Sequence, residues 1–270
     1  MFLRIPPSPF VRRTKSIEKT DKRGYHYCVE EGVGKVSCAT GAETPQAPSA
    51  GRHAHPSNGH IDAAERGEHK TENINITIEE EQKHQLASQF NLTPAEAALV
   101  CGATDGARVT IKLTSTMRGD DLVEVAIRHK DYSCDRRIRT DRTIRNVSSR
   151  VHEAGAGVGL KVFSSQVENA AKLGFTAISL EGGRAPDQNG YYTWPRFGCD
   201  GEIPFPIRLK RNADLSKAEL HVSELMKTEE GRNWWKEHGD TVFLTFDLAD
   251  GSLSRRVLDE YNEAKARSRS

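Results

Sequence analysis

Apolar positions recur along residues 72–270 with two different periods, and the switches between them mark out the secondary structure. "ITIEEEQKHQLASQF" (76–90) reads as a helix. "NLTPAEAALVCG" (91–102) reads as a second, with Thr93 as its cap, Pro94 at its first position and Gly102 as its stop. "ARVTIKL" (107–113) alternates strictly and puts Val109, Ile111 and Leu113 on one face. "DLVEVAIRH" (121–129) repeats the alternation through Val123, Val125 and Ile127, and "MRGDD" (117–121) joins the two as a hairpin. A third strand is expected within "RTIRNVSSRVHE" (142–153), where the alternation is poorer.

The period then changes in "EAGAGVGLKVFSSQVENAAKLGFTAISL" (153–180). Val158, Val162, Phe163, Val167, Ala170 and Ala171 fall at helical spacing, Lys161, Glu168 and Lys172 form the polar face, and Gly174 follows as the stop. "FTAISL" (175–180) reads as a short strand, so strand, glycine loop, helix and strand make a βαβ unit with a parallel pair. Beyond it, "DLSKAELHVSELMKTEEGRNWWKEHG" (214–239) reads as one or two helices capped at Asp214 or Ser216. Trp234 and Trp235 are expected to pack that segment on the core. "TVFLTFDL" (241–248) alternates as a late strand, and "SLSRRVLDEYNEAKARS" (252–268) closes as a helix.

Residues 1–70 show no sustained period and are rich in Pro, Gly, Ser, Ala and His, so they read as a disordered region. The apolar share of 36% and mean hydropathy of −0.64 agree with a chain that is only partly globular. His53, His55 and His60 lack carboxylate or thiolate company, and no metal is assigned to them. A net charge of +1 argues against nucleic acid or an anionic membrane as the partner. "RHKDYSCDRRIRTDRTIR" (128–145), with seven Lys and Arg against three Asp, reads as a solvated hairpin, its attraction for a polyanion being the alternative. No apolar run approaches the length of a membrane span, and the first residues lack the continuous apolar stretch of a secretory signal. Five scattered cysteines without a CxxC pair suit a reducing, cytoplasmic setting.

Alternate glycines opening a helix make an anion site, since small residues let a phosphate approach free N–H groups. Gly159 is followed by Leu160 rather than Lys-Ser/Thr, and the spacing is GxGxG rather than GxGxxG, so neither common nucleotide-binding pattern fits. "AGAGVGLKVFSSQVENAAKLGFTAISL" resembles instead the acyl-CoA loop, helix and following strand of the GNAT superfamily of N-acyltransferases. Gly157 and Gly159 match the glycines of its Gln/Arg-x-x-Gly-x-Gly/Ala signature, with Ala154 at the Gln/Arg position. "WPRFGC" lies over the family's Tyr-x-x-x-Gly-Phe pattern: Gly198 matches, Cys199 replaces Phe, and Trp194 stands where the tyrosine would be.

The resemblance covers roughly residues 107–200. It implies an α/β fold with a GNAT-like mixed central sheet flanked by helices, in which two parallel strands splay to admit the pantetheine arm. On that reading residues 1–70 are disordered, 71–201 form the acyltransferase domain and 202–270 are a C-terminal extension packed on it. The implied function is transfer of an acyl group, acetyl first, from CoA to an unidentified amine. Acetyl-CoA is then a co-substrate bound by Gly155, Gly157, Val158, Gly159 and Leu160. Glu181 and His152, with Glu153 beside it, end the two splayed strands and are candidate bases; Tyr191 and Tyr192 are candidate acids. The alternative is a non-catalytic binding or structural module that kept the fold and lost the chemistry.

Overall fold

The computed structural model describes residues 73–116, 119–153, 155–208 and 220–268, together with the backbone of three short strands near the N-terminus. The chain divides into two compact units, Met1–Asn58 and Gly59–Ser270. In the first, β1 (Ser16–Thr20), β2 (His26–Glu30) and β3 (Val36–Ser37) form an antiparallel sheet in that order. The rest of the 1–70 region, with its histidine tract, lies outside the described residues.

The second unit is an α/β domain built on a seven-stranded mixed sheet. It opens with β4 (Asn75–Thr77), α1 (Glu80–Phe90) and α2 (Pro94–Val100). The helix expected over 76–90 therefore starts late: "NIT" pairs parallel with the next strand before the chain turns helical. At α2 the Thr93 hydroxyl accepts from the Glu96 amide while the Glu96 carboxylate accepts from the Thr93 amide, so two of the helix's orphan donors are met reciprocally.

A four-stranded antiparallel meander follows: β5 (Arg108–Ser115), β6 (Asp121–Arg128), β7 (Tyr132–Arg139) and β8 (Thr143–Val151). β7 corrects the expectation of a solvated hairpin over 128–145. Tyr132, Cys134, Arg136 and Ile138 alternate inward along it, and all four are buried. An arginine at an inward position is what hid the strand from hydropathy.

Next come α3 (Val158–Lys172) and β9 (Ala177–Gly182), which runs parallel to β8 as the βαβ reading requires. A small hairpin, β10 (Arg184–Ala185) and β11 (Gln188–Asn189), leads into α4 (Gly190–Arg196). α5 (Phe205–Arg208), α6 (Val222–Met226) and α7 (Glu229–His238) precede β12 (Val242–Asp247) and α8 (Leu253–Arg267). The caps expected at Asp214 and Ser216 lie outside the described residues; Thr228 caps α7 and Ser252 caps α8.

Across the sheet the strand order is β12-β9-β8-β7-β6-β5-β4. Residues 202–270 thus do more than pack on the domain, because β12 pairs antiparallel with β9 inside the sheet. Asp200 in turn bridges to Thr245 along the outer side of β12. One sheet face carries Val109, Ile111, Val125, Ile138, Ile144, Ile178 and Leu244, all buried, and the core is built on it. Phe163 of α3 meets Phe246 of β12 edge-on at 5.3 Å and Trp194 of α4 at 5.2 Å, so both helices join that core. Among the described residues no helix is long and apolar enough to cross a membrane.

Candidate active site

β8 and β9 stay together only briefly. Their pairing runs from Thr143 opposite Ala177 to Asn146 opposite Leu180, and then ends although β8 continues to Val151. At the point of parting, Arg136 of β7 faces Asn146 while Asp135 faces Ser148, so Val147 is an extra residue that bulges β8 outward. The two strands diverge from there. The edge of β8 over 147–151 faces β9 without a ladder.

The opening widens into a cavity of about 1250 Å³ whose walls include this stretch of β8, the start of α3, the β10–β11 hairpin and α4. Gly155, Gly157, Val158, Gly159 and Leu160 all line it. Gly157 is the N-terminal cap residue of α3 and has φ +78°, a left-handed conformation that a side chain resists. The α3 ladder starts with the Lys161 amide donating to the Gly157 carbonyl, so the preceding amides have no partner within the helix. They meet the cavity at the positive end of a 15-residue helix. Ala154 lies outside the described residues.

At the inner end a buried amide pair ties α3 to β8. Asn146 donates to Gln166 over 3.1 Å and Gln166 donates back over 3.0 Å. Arg136 reaches under the bulge, its guanidinium donating to the Ser148 carbonyl and to the Ser149 hydroxyl. Nearer the mouth, Arg150 of β8 and Asp187 of the β10–β11 hairpin approach to 3.8 Å, both well exposed.

The candidate acids and bases separate on inspection. Glu181 lines the cavity and is exposed at the end of β9. His152 does not line it; its ring sits 2.7 Å from the Lys130 carbonyl, on the hairpin between β6 and β7. Glu153 lines the cavity instead. Tyr191 lines the cavity, yet its hydroxyl donates to the Lys236 carbonyl at 2.8 Å and its ring lies beneath the Arg184 guanidinium. Tyr192 is turned away from the cavity, with Arg196 and Lys236 over its ring. Trp194 does line the cavity, but its indole packs on Phe163 and Phe197. Cys199 is buried, and burial first and the Asp200 carboxylate second push its thiol far above the usual range, so it is no nucleophile.

Sequence reasoning missed Arg136, Asn146, Arg150 and Asp187. The first two stand at inward positions of strands, where polar residues mark a site rather than a core, but that signal needs the strand to be recognised first.

Asp135 governs the outer side of the bulge. Burial opposes its ionisation, but the Ser148 hydroxyl and the Arg128 guanidinium, each 2.7 Å away, overcome this and hold the carboxyl below its ordinary range. A depressed folded-state value adds stability above the unfolded value and loses it as pH falls through the folded one. Replacing Asp135 by Asn is therefore expected to flatten the decline of melting temperature below about pH 4. Thermal melts of both proteins from neutral pH to pH 3 check this, and parallel curves would refute it.

Compared with known proteins, this chain matches no family model, no curated protein and no solved structure.

Proposed function

We propose that the chain is an N-acyltransferase that moves an acyl group, acetyl in the first instance, from CoA to an amine. One observation carries the reading: the parallel pair β8–β9 opens beside a glycine-capped helix start, and a single cavity joins the two. A CoA thioester has matching parts. Its pyrophosphate suits the amides at the start of α3. The two amides of its pantetheine arm suit the unladdered edge of β8 over 147–151, where the arm would lie as a short added strand. The succession of elements supports the same reading, since the loop, helix and second strand fall in the order of the GNAT resemblance.

In that arrangement the neutral amine attacks the thioester carbonyl, a C–N bond forms, the C–S bond breaks, and the leaving thiolate takes up from water a proton equivalent to the one the amine gives up. On this reading Glu181, exposed at the end of β9 and lining the cavity, takes the amine proton, directly or through water. Holding both reactants in one cleft supplies the rest as proximity.

Calorimetric titration of the full chain with CoA and acetyl-CoA tests this, with Gly157→Val as the comparison. A side chain at a left-handed cap costs about 1–2 kcal/mol; the loop of the variant relaxes from that conformation when free and the ligand must restore it, so affinity is expected to fall roughly tenfold. No heat from either ligand at millimolar concentration, with the protein folded by circular dichroism, sinks the proposal.

The hydroxyl of Tyr191 favours a second reading. Its proton is committed to the Lys236 carbonyl, which withholds this tyrosine from a departing thiolate. The chain would then bind CoA thioesters without turning them over. Release of free thiol from acetyl-CoA in the presence of an amine panel separates the two readings.

A further inference from the structure

Among the described residues Arg136 is the one charged side chain lining the cavity that is buried. The residue is 3% exposed and lines the cavity's inner end, opposite Asn146 where β8 and β9 part. Its guanidinium donates to the Asp135 and Ser148 carbonyls and to the Ser149 hydroxyl, all neutral acceptors. Its Nε is buried and has no hydrogen-bond partner. Among the described residues no carboxylate forms an ion pair with it. Asp135, its neighbour in sequence, alternates to the other face of β7 and is held there by Arg128 and Ser148. The nearby thiols of Cys101 and Cys134 do not compensate, because burial pushes both above their ordinary range and keeps them neutral.

A guanidinium cannot shed its proton to escape burial, and a buried charge without an ionic partner is costly to hold. If the side chain served only to hold the β8 bulge, a neutral donor would do so without that cost. We propose that the ligand of this cavity carries a carboxylate that docks on Arg136. Resting on the acyl-transfer reading, this narrows the substrate class: either the acyl group is a dicarboxylic one with a free distal carboxylate, or the amine acceptor is an amino acid. Phosphates are served at the other end of the cavity by α3, so the arginine fork is left to a planar carboxylate.

The first test needs no variant to fold and no CoA to bind. The Nε–H resonance of Arg136, assigned along the side chain by triple-resonance spectra of the wild-type protein, is followed by nitrogen-15 NMR while the full chain is titrated with succinate, and with sodium chloride as the ionic-strength control. A saturable shift with succinate alone is expected, and no saturable shift overturns the proposal.

Two further arms locate the carboxylate. Succinyl-CoA binding at least tenfold tighter than acetyl-CoA assigns it to the acyl group. A kcat/KM at least tenfold higher for glycine than for methylamine, with acetyl-CoA, assigns it to the acceptor. Arg136→Gln should abolish whichever preference is found. CoA binding without a preference in either arm overturns the proposal, whereas a succinate shift without CoA binding leaves the anion site standing and removes the acyl-transfer reading.

Discussion

Trp235→Ala is expected to lower the stability of the domain by about 3–5 kcal/mol, the range for deleting a fully buried tryptophan. The side chain is wholly inaccessible, and its indole N–H donates to the Tyr191 carbonyl over 2.8 Å. Truncation leaves a void and a buried carbonyl without its donor, two costs that add. For a domain of this size the melting temperature should drop by roughly 6–20 °C. Trp235→Phe keeps most of the volume and loses the donor, so it should fall between wild type and Trp235→Ala. A melting temperature for Trp235→Ala within a degree of wild type would contradict this account.

The same contact reaches the cavity. α7 and its C-terminal end hold the first turn of α4 through Trp235 on the Tyr191 carbonyl and the Tyr191 hydroxyl on the Lys236 carbonyl, and hold β10 through Arg184 on the Glu237 and Gly239 carbonyls. Tyr191 and Arg184 both line the cavity. Loosening Trp235 should therefore weaken ligand binding as well as stability, although no atom of its side chain lines the cavity.

How much of this was legible in the sequence depends on where side chains point. β5, β6 and β12 alternate cleanly between apolar and polar positions, and α3 keeps one apolar stripe, so pattern alone places them. β7 escaped because Arg136 breaks the apolar alternation of Tyr132, Cys134 and Ile138. β4 escaped because a three-residue edge strand is too short to show a period and runs straight into α1. The glycine loop was legible because backbone conformation is written in residue type: Gly155 and Gly157 both have positive φ. Acids and bases were not, because rotamers and partners decide them. Nothing in "NGYYTW" tells that the Tyr191 hydroxyl is spent on α7, or that Tyr192 turns from the cavity. His152 sits at the end of the expected strand, yet a hydrogen bond to the Lys130 carbonyl draws its ring aside.

Asn146→Leu should cost about 2–6 kcal/mol, because it strands both the donor and the acceptor of Gln166, each worth about 1–3 kcal/mol when buried and unpaired. Gln166 is fully buried and Asn146 is 5% exposed, so water does not replace the lost partner. Gln166→Leu should cost a similar amount. The double variant should recover most of the loss, since removing both polar groups leaves nothing unsatisfied. Chemical denaturation of the four proteins closes the cycle, and a coupling of at least about 1 kcal/mol is expected. Additive effects would show that the two amides do not depend on each other. Apolar residues could have filled this space at little cost, so the pair's value lies in direction. A leucine packs in several registers, but two reciprocal amides accept one. That register fixes α3 on β8 at the vertex where β8 leaves β9, and so sets where the amides around Gly157 point relative to the open strand edge.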